Sequence, residues 1–292
     1  MRSGFVSIIG RPNAGKSTLL NSIMNEKIAI TSNKPQTTRN NIKGIYTDES
    51  VQIVFLDTPG VHKPKHKLGN YLNKEAYYSL YDADVVYFMV DVEEPFGKGD
   101  EFVLEKIKEI DKPIFLVLNK VDKINKQDLL PLIYKYKDIY DFAEIIPLSA
   151  YKNDGVNLLL KTTEKYLKDE FKYYEDDIKT DQEEHFRVKE LIREKVLRLT
   201  EKEVPHSAEC IVDRIEIGKT SDHIYATIVV DRDALKRIII GKNGSKIKEI
   251  GMLAREDIEN LIGKKVYLEL FVKVIKNWRD KENLLNDLGY KK

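Results

Sequence analysis

Gly10, Gly15, Lys16 and Ser17 stand in the order G-x-x-x-x-G-K-S, as GRPNAGKS at 10–17. Glycines at this spacing let the backbone turn sharply and come close to a ligand. Successive N–H groups then point into one concavity that takes phosphate oxygens. Gly10 and Gly15 permit the turn, and Arg11, Pro12, Asn13 and Ala14 form the loop between them. The Lys16 ammonium reaches the β- and γ-phosphates, the Ser17 hydroxyl ligates Mg²⁺, and Thr18 continues the phosphate-binding run. A second group, DTPG at 57–60, puts Asp57 where it holds Mg²⁺ through water. Thr58 and Pro59 lead to Gly60, whose N–H faces the γ-phosphate. A third, NKVD at 119–122, reads the base. The two carboxylate oxygens of Asp122 match the paired N–H donors of guanine and oppose the acceptor at N1 of adenine, a mismatch that discriminates strongly when buried. Asn119 contacts the other side of the base, and the stem of Lys120 lies against its ring. Ser149 and Ala150 follow, with a backbone N–H for guanine O6.

These groups need strands that end in loops on one edge of a sheet. Apolar runs at 5–9, 51–56, 84–90, 113–118 and 144–148 fit strands covered on both faces. Helical patterns lie between them, for example at 100–110 and 155–167. This rhythm predicts an α/β phosphate-loop domain with a mostly parallel sheet over 1–168. The acidic, polar stretch at 169–184 reads as a linker. A smaller α+β domain is expected over 185–292: a helix at 185–199, strands at 208–217 and 223–231, a short helix, a longer helix near 245–262 and a strand at 264–274. On the longer helix, Ile247, Ile250, Leu253, Ile258 and Leu261 are expected to form a core face. Ile238–Ile240 are expected to pack the shorter helix on the sheet.

Between those helices lies GKNG at 241–244. Alone, G-x-x-G also fits an ordinary helix–helix turn. In the order strand, strand, helix, loop, helix, strand it fits the clamp of a type II KH module, which grips the backbone of about four nucleotides. Gly241 and Gly244 let phosphates approach, Lys242 adds charge and Asn243 can hydrogen-bond. Lys246 and Lys248 lie near the groove, and Lys273, Lys276 and Arg279 extend a basic surface. Basic residues outnumber acidic ones over 231–292, although the whole chain carries a net charge of only +1.

The segments KPQTTRNNIKGI (34–45), DTPGVHKPKHKLG (57–69) and KEVPHS (202–207) resemble those of the Era family of GTPases. The resemblance covers nearly the whole chain. It implies a GTPase that binds the 3′ end of single-stranded small-subunit rRNA and assists assembly of the small ribosomal subunit. It implies that 36–40 is a switch in which Thr38, rather than Thr37, meets Mg²⁺ and the γ-phosphate, so that Lys16, Thr38 and Gly60 act on the transferring phosphoryl group. Val61, not a glutamine, follows DTPG, so no side chain orients the attacking water. The resemblance offers Asn13 as a residue that helps hold K⁺ there. A weak peripheral contact with membrane lipid is also implied.

No apolar run reaches the length of a membrane span, and a secretory leader pattern is not seen at the start. One cysteine, Cys210, excludes an internal disulfide framework. A cytoplasmic monomer, at most peripheral at the inner face of the membrane, is the expectation. Two other readings compete: a membrane-associated signalling GTPase, and a GTP-dependent RNA-modification factor, which would need a second chemical site.

Overall fold

The computed structural model describes residues 1–94 and 96–290. It contains two compact units. The first comprises 1–31, 38–65 and 69–181; the second comprises 182–292 with two short pieces, 32–37 and 66–68.

In chain order the first unit contains β1 (Arg2–Gly10), α1 (Lys16–Met24), β2 (Ile42–Thr47), β3 (Val51–Asp57), α2 (Lys67–Asp82), β4 (Val85–Asp91), α3 (Lys98–Ile107), β5 (Ile114–Asn119), α4 (Lys126–Lys137), β6 (Glu144–Leu148) and α5 (Val156–Glu164). The sheet order is β2-β3-β1-β4-β5-β6. Every residue of β3 and β5 is buried. Side chains on both faces are therefore apolar, which is why these strands read as continuous runs. All five expected strands form. The sixth, β2, was not anticipated and pairs antiparallel with β3. Its sequence, IKGIYT, has only weak alternation. Gly44 lies there because Leu20 of α1 packs where a Cβ would stand, at 2.4 Å.

The stretch expected to be a linker over 169–184 divides differently. Residues 169–181 belong to the first unit. Ser3 donates its N–H to the Asp169 carbonyl at 2.7 Å, beside β1 before β4 begins. Gln52 of β3 is fully buried and holds the next turn. Its Oε1 accepts the N–H groups of Tyr173 and Tyr174 at 2.8 and 3.0 Å. Its Nε2 donates to Thr47 Oγ1 and to the Tyr174 carbonyl. Tyr173 packs edge-on against Phe5, with ring centroids 4.7 Å apart. Farther along, Ile45 of β2 donates to the Lys179 carbonyl and Thr180 Oγ1 to the Lys43 carbonyl. The acidic composition masked a strap tied down by backbone groups.

The second unit contains α6 (Glu184–Leu199), α7 (Val204–Ser207), β7 (Glu209–Glu216), β8 (Ser221–Val230), α8 (Asp233–Ile240), α9 (Ser245–Ile262), β9 (Lys265–Val274) and α10 (Glu282–Asp287). Its sheet runs β7-β8-β9, with β7 antiparallel and β9 parallel to β8. Two core clusters fill it, one around Val188, Ile192, Ile224 and Ile258, the other around Val196, Ile228, Ile239 and Ile250. The buried stripe of α9 is Ile250, Ala254 and Ile258, spaced by four. Leu253, expected in the core, is 39% exposed, and Ile238 is 51% exposed while its neighbour Ile239 is buried. Ile250 and Ile258 are buried as expected; between them the spacing of four brings Ala254, not Leu253, onto the core face.

Trp278 is fully buried and its Nε1 donates to the Ser207 carbonyl at 2.9 Å. It anchors the chain after β9. Arg193 of α6 is also buried, pairs with Glu190, and donates to the carbonyls of Gln36 and Thr37.

Gln52→Ala should release the strap. It would leave buried N–H groups of Tyr173 and Tyr174 without acceptors, at about 1–3 kcal/mol. Limited proteolysis should then cut within 169–181 faster than in the wild type, with a lower midpoint in chemical denaturation.

Candidate nucleotide site and nucleic-acid groove

In the first unit the predicted groups converge at the C-terminal ends of β1, β3 and β5 and in the loop after β6. Gly15 has φ +97° and starts α1, so the loop delivers that helix's free N–H groups to one point. Gly10 is required sterically: a Cβ there would lie 2.3 Å from the Met89 carbonyl. Lys16 is buried and its Nζ donates to the carbonyls of Gly10 and Arg11, at 3.3 and 3.0 Å. Burial lowers its pKa to about 8, and the Asp57 charge opposes the shift.

Three oxygens meet beside it. Ser17 Oγ donates to Asp57 Oδ2 at 2.6 Å and lies 2.8 Å from Thr38 Oγ1, which is 3.4 Å from the same carboxylate oxygen. Asp57 is fully buried, and its other oxygen, Oδ1, has no hydrogen-bond partner. Burial pushes its pKa up to about 6, against the pull of Lys16, Ser17 and Thr38. A buried carboxylate oxygen with no donor, beside two hydroxyls, is the ligand chemistry of a hard divalent cation. The residues present therefore fit Mg²⁺. Thr38, not Thr37, makes this cluster; Thr37 Oγ1 donates instead to the Lys34 carbonyl at 2.6 Å.

Thr58 Oγ1 donates to the Ile8 carbonyl, and Val61 N–H to the Gly10 carbonyl, which clips the DTPG turn to β1. Gly60 lies on the phosphate loop so closely that a Cβ would meet Pro12 Cα at 2.7 Å. Val61 is buried, so no polar side chain extends from that position towards a γ-phosphate.

The Asn119 amide bridges two loops: Nδ2 donates to the Ala14 carbonyl at 2.8 Å, and Oδ1 accepts the Ala150 N–H at 3.0 Å, which leaves a second Nδ2 hydrogen. Of the two backbone N–H groups at 149–150 offered for guanine O6, that of Ala150 is thus engaged with Asn119. Lys120 has φ +68° and its ammonium pairs with Asp91 at the end of β4, which holds the stem in place. Asp122 Oδ1 accepts from Ser149 Oγ at 2.7 Å. That bond, first among the causes, holds the carboxyl below the usual range, so it stays an acceptor. Arg11, assigned to the nucleotide, turns its guanidinium away to Asp100 and Glu94. Asn13 has φ +67°, a conformation that asparagine tolerates.

In the second unit the two glycines of GKNG differ in use. Gly241 ends α8 with φ +73°, and a Cβ would lie 2.7 Å from Lys246 Cβ. Gly244 caps α9 with φ +77° and open space around it. A groove of about 310 Å³ runs between α9 and β9, lined by Ile247, Lys248, Met252 and Arg255 on the helix and by Tyr267 and Leu270 on the strand. Lys242 and Lys248 are exposed. Lys246 is partly neutralised by Glu249, 2.9 Å away. Lys273 and Lys276 are exposed. Arg279 is not a free cation: it donates to Asp231 at 2.6 and 3.0 Å and is mostly buried. Sequence reasoning missed Met252, Arg255 and Tyr267. The helical residues were legible as a second face, since Lys248, Met252 and Arg255 recur at four and seven.

A family model described as 50S ribosome-binding GTPase matches residues 5–120, and one described as KH domain matches residues 195–279. Two solved structures resemble the whole chain. One is Era in complex with MgGDPNP and nucleotides 1506–1542 of 16S ribosomal RNA: 40% identity, full coverage of both chains and a TM-score of 0.97. The other is a single-residue variant of Aquifex aeolicus Era bound to GDP and AlF₄⁻, with the same identity, coverage and score.

Asp122→Asn should move base preference from guanine towards xanthine, because the amide puts a donor where an acceptor was. Competition of labelled GDP by GDP and XDP measures it, and a preference ratio changed by at least 100-fold is expected. Lys16→Ala should weaken GTP binding or turnover by 100-fold or more without altering the circular dichroism spectrum.

Proposed function

The chain belongs to the Era family of GTPases, and from that premise we propose that it is a GTP-driven switch whose second unit binds single-stranded RNA at the 3′ end of the small-subunit rRNA and assists assembly of the small ribosomal subunit. The observation that carries the RNA reading is the groove between α9 and β9, whose helical wall begins at Ile247 and Lys248, in the first turn of α9 after the two-glycine turn. The turn lets phosphates approach, the start of α9 offers free N–H groups, and Lys242, Lys248 and Arg255 supply charge. Met252, Leu270 and Tyr267 give bases apolar and aromatic surfaces. The relative of known structure that carries 16S rRNA nucleotides supports the choice of RNA.

The chain hydrolyses GTP to GDP and phosphate. Lys16 and the loop N–H groups hold the β- and γ-phosphates, and the Gly60 N–H stands over the γ-phosphate. Asp122 selects guanine while Ser149 fixes its carboxylate. When bound through Ser17, Thr38 and, by way of water, Asp57, Mg²⁺ supplies positive charge to the β- and γ-oxygens. Phosphoryl transfer is chiefly positioning and charge stabilisation. With buried Val61 after Gly60, no side chain aligns water, so intrinsic turnover is slow. Asn13 would help hold K⁺, which would supply positive charge to the transferring phosphoryl group. Thr38 reports the γ-phosphate, and the chain passes directly from it to Thr37, which the second unit holds through Arg193. RNA affinity therefore differs between GTP and GDP states. The protein acts in the cytoplasm as a monomer, and exposed Lys273 and Lys276 allow a weak peripheral contact with anionic lipid.

The test is binding of a single-stranded oligonucleotide with the sequence of the small-subunit rRNA 3′ end. Gly244→Asp should weaken it by tenfold or more with GTPase activity kept, because the space is open but the added charge opposes phosphate and φ +77° strains any side chain there. Lys248→Ala should lower the slope of log affinity against log salt by about 0.7. Equal affinity in GTP and GDP states would overturn the coupling. GTPase rates should rise in K⁺ over Na⁺; equal rates would remove Asn13 from that role.

A further inference from the structure

Arg11 lies inside the phosphate loop, yet its guanidinium leaves the nucleotide. It reaches Asp100 Oδ2 at 3.1 Å and Glu94 Oε2 at 2.8 Å. Asp100 is 1% exposed and stands in the first turn of α3, where the same Oδ2 accepts the Gly97 N–H at 3.1 Å. A carboxylate so buried needs a cation, and Arg11 is the one that pairs with it among the described residues. The helix is shaped to admit it. Gly99 is the second residue of α3, in the first turn beside Arg11. A Cβ there would stand 2.9 Å from Arg11 Nε and 3.1 Å from Cδ.

The main chain of Arg11 faces the other way. Its carbonyl accepts from Lys16 Nζ at 3.0 Å and from the Ala14 N–H at 3.4 Å. The next residue, Pro12, is the one against which Gly60 packs. Fixing Arg11 therefore fixes the rim of the phosphate cradle, on both the Lys16 and the Gly60 side.

We propose that Asp100 is a positioning residue for nucleotide binding: acting through Arg11, with Gly99 making room, it holds the first half of the phosphate loop in its binding shape. The inference rests on the guanine-nucleotide reading of that loop. Asp100 touches no part of the nucleotide itself, and its loss acts on affinity rather than on the chemical step.

The experiment is a double-mutant cycle on the full chain, read as the dissociation constant and off-rate of fluorescently labelled GDP and as KM and kcat for GTP. Asp100→Asn keeps an oxygen for the Gly97 N–H and loses the charge. It should raise Kd and KM about tenfold, the effect of a lost charge-assisted bond of about 1.4 kcal/mol, with kcat changed by less than twofold. Arg11→Ala should do the same, and Asp100→Asn should add nothing in that background. Arg11→Lys, which keeps a charge, should recover part of the affinity. Gly99→Ala should favour helix α3 and still weaken GDP binding, a result that a purely structural role for α3 would not give. Additive effects of Asp100→Asn and Arg11→Ala, or a Gly99→Ala protein with wild-type affinity, would overturn the proposal. Failure of the wild type to bind GDP would instead overturn the reading of the loop.

Discussion

Asn119 ends β5 with its amide held between two loops, donating to the Ala14 carbonyl and accepting the Ala150 N–H. Both bonds are buried, so neither can be exchanged for water cheaply. The first fixes the phosphate loop just before Gly15; the second fixes the turn that carries Ser149. Through Ser149 the constraint reaches Asp122, and through the chain it reaches Lys120, whose ammonium Asp91 holds. Gly15 must be glycine for the same reason, since a Cβ would fall 2.2 Å from Asn119 Nδ2. Recognition of phosphate and recognition of base are thus parts of one rigid assembly.

Much of this was legible because phosphate loops and base-reading loops occur where buried strands end, and buried strands announce themselves as apolar runs. The motif residues came out where strand ends put them. What local pattern could not show was the partner of each side chain. The bonds that Asn119 makes to Ala14 and Ala150, and Arg11 to α3, join residues about 30 to 105 positions apart. Arg279 looked like a free charge, but Asp231 lies 48 positions earlier in the chain and 2.6 Å away. The antiparallel strand β2 and the strap over 169–181 escaped for different reasons. The strap is held by Gln52 bonds that span about 120 residues, beyond any window of ten or twenty, whereas β2 pairs with β3 close by in the chain and escaped because its alternation is weak. On α9 the miss was a single position: Ile250 and Ile258 are in the core as expected, but between them Ala254 is buried rather than the larger Leu253.

The GKNG turn shows how glycines of one motif can serve separate ends. Gly241 is needed by the fold, because Lys246 leaves no room for a side chain and the backbone there is left-handed. Gly244 is left-handed too, but its Cβ direction is open. The first shapes the crossing of α8 and α9. The second starts α9 with nothing packed where its Cβ would stand.

The strap also has a bearing on solubility. In the order β2-β3-β1-β4-β5-β6, β2 is an outer strand, and outer strands present unpaired N–H and C=O groups that template sticking between chains. Residues 179–180 lie along it, taking the Ile45 N–H and donating to the Lys43 carbonyl, while Lys43 and Asp181 close over the pair at 2.7 Å. The segment that joins the two units is therefore also a guard for the sheet. A GTPase domain cut at residue 168 would retain its nucleotide loops and lose its cover, exchanging a protected margin for one open to self-association.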